Sequence, residues 1–526
     1  MRNKLYITIF VLLSTILGGC EGKLEPEIYD KLTGENFPKT EDDAKSLVYS
    51  VYYQFRAGEW NRYNCANNSM LVQGLFCTDE FTCHWTGYHD TPFNFLWQPD
   101  QFPFSDVYYA FVPAVTTATS AIAQLRKMGD VLKPEVLERY IAELKVARAY
   151  FMFALFNLYG PVYVVTDEAE ALDMDNFEYK PRPTNEKMVE LIEADLTDEI
   201  ISILPGQCEG DEYGRMDQGA AQMCKLKLYL HEKRWQDVID CADNIKKLGY
   251  GLEPVYKDIW DIDNEQNNEI IFPLVCKPSP EGVANNFRAH VLPADWKSPN
   301  GLPSQGWNGY KVPWEFYDTF DPEDTRLETL HRYYINSSGN VVDIRGQKFN
   351  SNGTPVLEDG KPVYAPIFYG ALPLKYSEDP AGTDVNQGVD YVIYRYADVL
   401  LAKAEAINEL SGPTQEAIDL INEVRGRAFP GRIDKLLKLA DFAGDKDKLR
   451  SAILDERGWE LYFEGNRRED LIRHGKFVEY ANKTNKFAVK GFTGKDLAKP
   501  YHVLYPIPNK AIVASNGILK QNEGYN

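Results

Sequence analysis

The chain returns several times to one pattern: two amphipathic helical stretches joined by a short turn. Asp217 to His231 and Trp235 to Leu248 flank the turn Glu232-Lys233-Arg234. Near the C-terminus, Tyr396, Leu400, Ala404 and Ile407 form one apolar face. Ala417, Leu420, Ile421, Val424 and Ala428 form the next, across Ser411-Gly412-Pro413-Thr414. Apolar residues three and four apart lie on one side of a helix, and Thr414 is a natural N-cap. The same periodicity predicts helices over 42–55, 107–125, 134–158 and 186–204, the third stopped by Gly160-Pro161. A helix pair cannot bury its apolar face alone, so neighbouring pairs must stack.

The small residues at the crossing faces make these pairs similar to tetratricopeptide-type units, about four and degenerate. Two stretches interrupt them, 56–105 and 277–385, rich in Asn, Gly, Pro and aromatics and without sustained periodicity. The expected architecture is mainly α, a rigid helical scaffold carrying long loop-rich insertions. Loops of that length inside a domain carry function. Six of the nine tryptophans fall in the two interruptions, a concentration that core packing alone does not require.

At the N-terminus, Arg2 and Lys4 precede an apolar stretch from Leu5 to Leu17. The stretch is too short to span a bilayer, which takes about 20 residues, and reads as a secretory signal. It ends in Leu17-Gly18-Gly19-Cys20, which looks like a bacterial lipobox, with Cys20 the lipidated residue of the mature chain. Residues 1–19 are then the signal peptide, 20–250 an N-terminal region with tether, ligand loops and helix pairs, and 251–526 a C-terminal region. The tether is the polar run Glu21–Lys39. A formal net charge of −21 argues against nucleic acid, whose phosphates call for clustered Lys and Arg. It also argues against adhesion to anionic lipid by charge, so the lipid must supply the membrane attachment.

Several segments carry a family resemblance. Ile453-Leu454-Asp455-Glu456-Arg457-Gly458-Trp459-Glu460-Leu461-Tyr462-Phe463-Glu464-Gly465-Asn466-Arg467-Arg468, continuing through Glu469-Asp470-Leu471-Ile472-Arg473-His474-Gly475-Lys476, resembles the main block of the SusD/RagB family of outer-membrane nutrient-binding lipoproteins. Tyr505-Pro506-Ile507-Pro508 with Gln521-Asn522-Glu523-Gly524-Tyr525 resembles its closing segment. The stretches 394–401, 421–428 and 148–163, and Thr78-Asp79-Glu80, are similar to further family elements in the same order. The resemblance implies a SusD-like fold and no catalysis. It also implies an outer-membrane position facing the exterior, and capture of glycan, or in some branches peptide, for a SusC-like TonB-dependent transporter. No cofactor is implied.

In the main block, Leu454, Gly458, Leu461 and Tyr462 share a helical face and are expected to pack inward. Glu456, Arg457, Glu460, Glu464, Arg467 and Arg468 offer opposite charges at helical spacing. Glu456 and Glu460 suit such a network better than the paired carboxylates of a glycoside hydrolase, the enzymatic alternative. Sugar rings stack their C–H faces on aromatic side chains, while amides and carboxylates take the hydroxyls. The candidate ligand residues are therefore Trp85, Trp97, Trp296 and Trp307 with Tyr88 and Tyr310 as platform, and Asp79 and Asn308 as polar partners. Cys77, Cys83, His84 and His89 match no common zinc spacing, and Asp321, Glu323 and Asp324 lack the glycine of a calcium loop, so no metal is expected.

Overall fold

A computed structural model describes residues 37–56, 69–85, 91–279, 283–302, 306–488 and 497–525. Cys20, Tyr88 and the signal segment lie outside them. Helix α1 (Glu41–Gln54) starts at a capping box: the Thr40 hydroxyl accepts from the Asp43 amide, and the Asp43 carboxylate accepts from the Thr40 amide at 2.9 Å. It packs on α2 (Phe104–Arg126) and α3 (Pro134–Tyr159), which lie against each other. Ala114, Ala118 and Ala121 of α2 are fully buried or nearly so, and small side chains let helix backbones approach closely. Gly160, at φ +71°, turns the chain out of α3.

The expected single helix over 186–204 is two, α4 (Asn185–Glu193) and α5 (Asp198–Ile203). The reason is Asp195, whose carboxylate takes both the Nε and Nη2 donors of Arg148 from α3, at 2.7 and 2.8 Å. Thr197 then caps α5, its hydroxyl accepting from the Ile200 amide. Two further pairs follow, α6 (Gln218–His231) with α7 (Trp235–Lys247), and α8 (Tyr396–Ser411) with α9 (Gln415–Ala428). Thr414 caps α9 as its position predicts, accepting from the Ala417 amide. Helix α7 packs directly on α8, so the scaffold is continuous in space although residues 248–395 separate the two in sequence. Helix α10 (Lys446–Leu461) closes the stack against α8 and α9. Among the described residues, no helix is long and apolar enough to cross a membrane.

The long insertion leaves and returns at one place. Its first strand, β2 (Ile270–Leu274), pairs antiparallel with its last, β8 (Tyr391–Arg395). Within it, a four-stranded antiparallel sheet has the order β1–β3–β7–β4, built from Thr82–Cys83, Tyr310–Pro313, Gly370–Pro373 and Leu330–His331. Strand β1 comes from the N-terminal interruption, Thr82 facing Lys311 and Cys83 facing Tyr310. The two loop-rich stretches are thus sewn together by one sheet. A hairpin of β5 (Tyr333–Ile335) and β6 (Val341–Asp343) extends from it.

The insertion is bolted to the helices by buried charge. Glu460 accepts from Arg395 of β8 at 2.6 Å, from Arg427 of α9 at 2.5 Å and from Arg326 at 3.2 Å. Glu456 bridges Arg326 and Arg425, both at 2.7 Å. Leu454, Gly458, Leu461 and Tyr462 are buried as expected. The local i, i+4 charge pairs expected in this block are replaced by long-range ones. Arg457 reaches Asp470 and Asp398, Arg467 reaches Asp79, and Arg468 donates to the Val503 carbonyl. The buried carboxylates of the block, Glu456 and Glu460, are already taken by arginines of other elements, so the buried guanidiniums of Arg457, Arg467 and Arg468 find their acceptors elsewhere in the core.

Candidate functional site

The sheet edge at β1 and β3 carries a cluster of aromatic rings. Strand β1 runs on into His84 and Trp85, and the His84 amide donates to the Gly309 carbonyl at 2.8 Å. The segment Trp307-Asn308-Gly309 is fixed by backbone hydrogen bonds to the short helix Phe287–Val291 and its exit: Trp307 to Ala289, Asn308 to Leu292 and Gly309 to His290, at 2.7–2.8 Å. The Trp85 indole N–H donates to the Trp307 carbonyl at 2.7 Å. Its ring lies 5.4 Å from Tyr310 and 5.8 Å from His290, centroid to centroid. His290 stacks on Tyr310 at 5.2 Å and meets Trp307 edge-on at 4.8 Å.

Glycine at 309 is a steric requirement. A Cβ there would lie 2.5 Å from the Trp85 ring. Asn308 adopts φ +55°, a left-handed conformation that Asn tolerates. Its side-chain oxygen is buried and meets no protein donor. Trp307 is 36 % exposed while Tyr310 beneath the cluster is fully buried. The arrangement is a rigid aromatic face with one ring open to water and an amide oxygen awaiting a donor. A ligand offering both a flat apolar face and hydroxyl donors suits it.

Of the residues the sequence singles out, Trp85, Trp307, Asn308 and Tyr310 come together here, with Tyr310 as support. Trp296 follows nearby in the chain but stacks on Tyr334 at 6.0 Å, the Tyr334 hydroxyl donating to Asp295. Its indole nitrogen is buried without a protein acceptor. Trp97 is 5 % exposed and packs among Phe104, His502, Tyr505 and Tyr525, in the core under the closing segment. Asp79 is held by the Nε and Nη2 donors of Arg467, both at 2.7 Å. Tyr88 and Cys20 lie outside the described residues.

Sequence reasoning missed His290, which joins the three rings, and the pair Phe368 and Tyr369, each 6.0 Å from the His84 ring. No local pattern marks them. It also missed Lys311, whose buried amine donates to the Val291 and Tyr310 carbonyls at 3.0 and 3.1 Å. Burial pushes that amine down to about 7. Glu460, by contrast, is pushed up by burial but pulled further down by Arg427, Arg395 and Arg326, to about 2. It is a structural anion with its oxygens occupied. No cluster of three or more metal-ligating side chains occurs among the described residues.

Comparison with known proteins agrees with the fold. The family model of the SusD family matches residues 258–525, just over half of the chain. SusD-like protein P25 of Formosa agariphila is 27 % identical over 427 residues, covering 76 % of this chain and 75 % of that protein. The starch-binding protein SusD of Bacteroides thetaiotaomicron is 25 % identical over 513 residues, covering 85 % and 84 %. Among solved structures, a SusD homologue from Bacteroides thetaiotaomicron superposes with a TM-score of 0.72 at 22 % identity, covering 93 % of this chain and 98 % of that one. Surface glycan-binding protein A from the same organism, solved with laminarihexaose, superposes at 0.70 and 18 % identity, covering 92 % and 100 %. From the insertion through the main block to the closing segment, the chain belongs to the SusD family.

Proposed function

We propose that the protein captures glycan at the face formed by Trp85, Trp307, His290 and Asn308 and hands it to a SusC-like TonB-dependent transporter, without cleaving it. The observation that carries this reading is the half-open Trp307 ring beside an unpartnered, buried Asn308 oxygen. The names of the relatives support it, one starch-binding and one solved with laminarihexaose. A hydrolase is disfavoured by the engagement of Glu456 and Glu460 with arginines. Lipid on Cys20 would hold the protein at the outer membrane, exposed to the exterior.

The test is native electrophoresis in gels containing laminarin or starch. Wild type is expected to be retarded by one of them and Trp307→Ala is not, with an unchanged melting temperature. Normal retardation of both Trp307→Ala and Trp85→Ala would falsify this site. Release of reducing ends by the pure protein would overturn the non-enzymatic reading. Cys20→Ala is expected to keep glycan retention and leave the membrane fraction; loss of retention would contradict a separate tether.

A further inference from the structure

Strand β1 is the edge of its sheet. Successive side chains of a strand point to opposite faces. The pairing of β1 with β3 runs on to His84, whose amide donates to the Gly309 carbonyl. Phe81 and Trp85 both pack on the Tyr310 ring, at 5.1 and 5.4 Å, and so share one face. His84, between them in the alternation, turns the other way. Its ring lies 6.0 Å from Phe368 and 6.0 Å from Tyr369. The Lys311 amine lies 5.3 Å over the Phe368 ring, and Lys311 pairs with Thr82 across the ladder. These groups therefore stand on the face opposite Trp85 and Tyr310.

This second face is open and its backbone is fixed. His84 is exposed, Tyr369 is 40 % exposed and Ile367 is 56 % exposed. The segment 367–369 is pinned from several sides. The Ile367 and Phe368 amides both donate to the Ile344 carbonyl, at 2.9 and 3.3 Å. The Phe368 carbonyl accepts from the Trp314 indole at 2.9 Å, and Gly370 pairs with Pro313 of β3. Two rings inclined at 40° and an isoleucine, held together in the open, are a patch rather than scattered surface residues. The rings also carry nitrogens and a phenol hydroxyl, donors and acceptors suited to sugar hydroxyls.

We propose that His84, Tyr369 and Ile367 form a second glycan subsite, reached by one sugar chain that rounds the β1 edge from the face of Trp85 and Trp307. The inference rests on the glycan reading above and names its ligand class, a polysaccharide rather than a single sugar or a disaccharide. Trp85 and His84 are consecutive, so the two subsites keep a fixed separation. Their rings stand off opposite faces of one strand, about 10 Å apart, and a single sugar unit touches only one of them. A chain long enough to engage both makes its second contact within the same complex, which multiplies affinity; a ligand too short for both loses that gain.

The test reads binding constants from gel mobility at graded concentrations of laminarin and of starch. Tyr369→Ala and His84→Ala are each expected to weaken binding of the polysaccharide that retards wild type about three- to tenfold, at unchanged melting temperature. Tyr369→Phe keeps the ring and is expected to stay close to wild type. Titration calorimetry with the matching disaccharide, laminaribiose or maltose, is expected to give wild-type affinity in both alanine variants. Wild-type mobility of the double variant Tyr369→Ala, His84→Ala overturns the second subsite. An equal loss of disaccharide binding also overturns it, since both residues would then act at the first face. A wild type retarded by neither polysaccharide counts against both faces. Normal retardation of Trp307→Ala with weakened binding in Tyr369→Ala overturns the first face alone.

Discussion

At the scale of single residues, two tryptophans twelve residues apart look alike until their neighbours are known. Trp85 and Trp97 both lie in a loop-rich stretch, yet one faces Trp307 and the other is core. Trp97→Ala is therefore expected to cost about 3–5 kcal/mol of stability, read as a lower urea midpoint. Gly309→Ala is expected to weaken glycan retardation as much as Trp85→Ala, because the added Cβ displaces the Trp85 ring. What sequence could signal was the concentration of tryptophan in two interruptions. What it could not signal was depth, since burial of Trp97 depends on Tyr505 and Tyr525, some 400 residues on. Lys311 has a measurable signature of the same kind. Folded, its amine loses its proton near 7; unfolded, it keeps it to about 10.5. Between those values the unfolded chain binds more protons, so stability rises with pH across that window. In Lys311→Met that rise should be absent from urea midpoints measured at pH 7 and pH 9; an identical rise in the variant would exclude Lys311 as its source.

At the scale of elements, helices were legible because their caps and periodicity are local, and the starts at Thr40 and Thr414 fall where the side chains place them. The break between α4 and α5 was not, because its cause is a partner on another helix. Asp195 leaves the helical path to satisfy the buried guanidinium of Arg148. Asp195→Ala should cost about 3–5 kcal/mol, the usual penalty for stranding one member of a buried ion pair. Chemical denaturation followed by circular dichroism reads that loss; a midpoint within error of wild type would show that the pair does not hold the break. The strand-like runs 270–272 and 391–394 were legible and are β2 and β8, whereas β1 and β4, two residues long, exist only through pairing with β3 and β7 and were not.

At the scale of the whole molecule, the question is what holds a long insertion in register with a helical stack. The main block was readable as a charged helix, but its partners were not. Glu456 and Glu460 look along the sequence to Arg457 and Arg467, and in the fold they serve Arg326, Arg395, Arg425 and Arg427. Two of those arginines, Arg326 and Arg395, lie in the insertion and two in α9, so Glu460 is the point where both bodies meet. Glu460→Gln leaves three guanidiniums around a neutral amide, and about 3–5 kcal/mol of stability should be lost. Hydrogen exchange should rise first in β2 and β8, the stem of the insertion, while reducing-end release stays at zero. The same anion sets the acid limit. Burial alone would raise Glu460 and Asp470, but Arg427, Arg395 and Arg326 bring the first, and Arg457 and Arg473 the second, to about 2. Their folded values lie below their unfolded ones, so the stability they contribute is complete above about pH 4.5 and is lost as pH falls toward 2. Thermal melts at pH 5, 4 and 3 should show a progressive fall in wild type and a shallower one in Glu460→Gln. Parallel slopes in the two proteins would mean that the junction is not held by this charge.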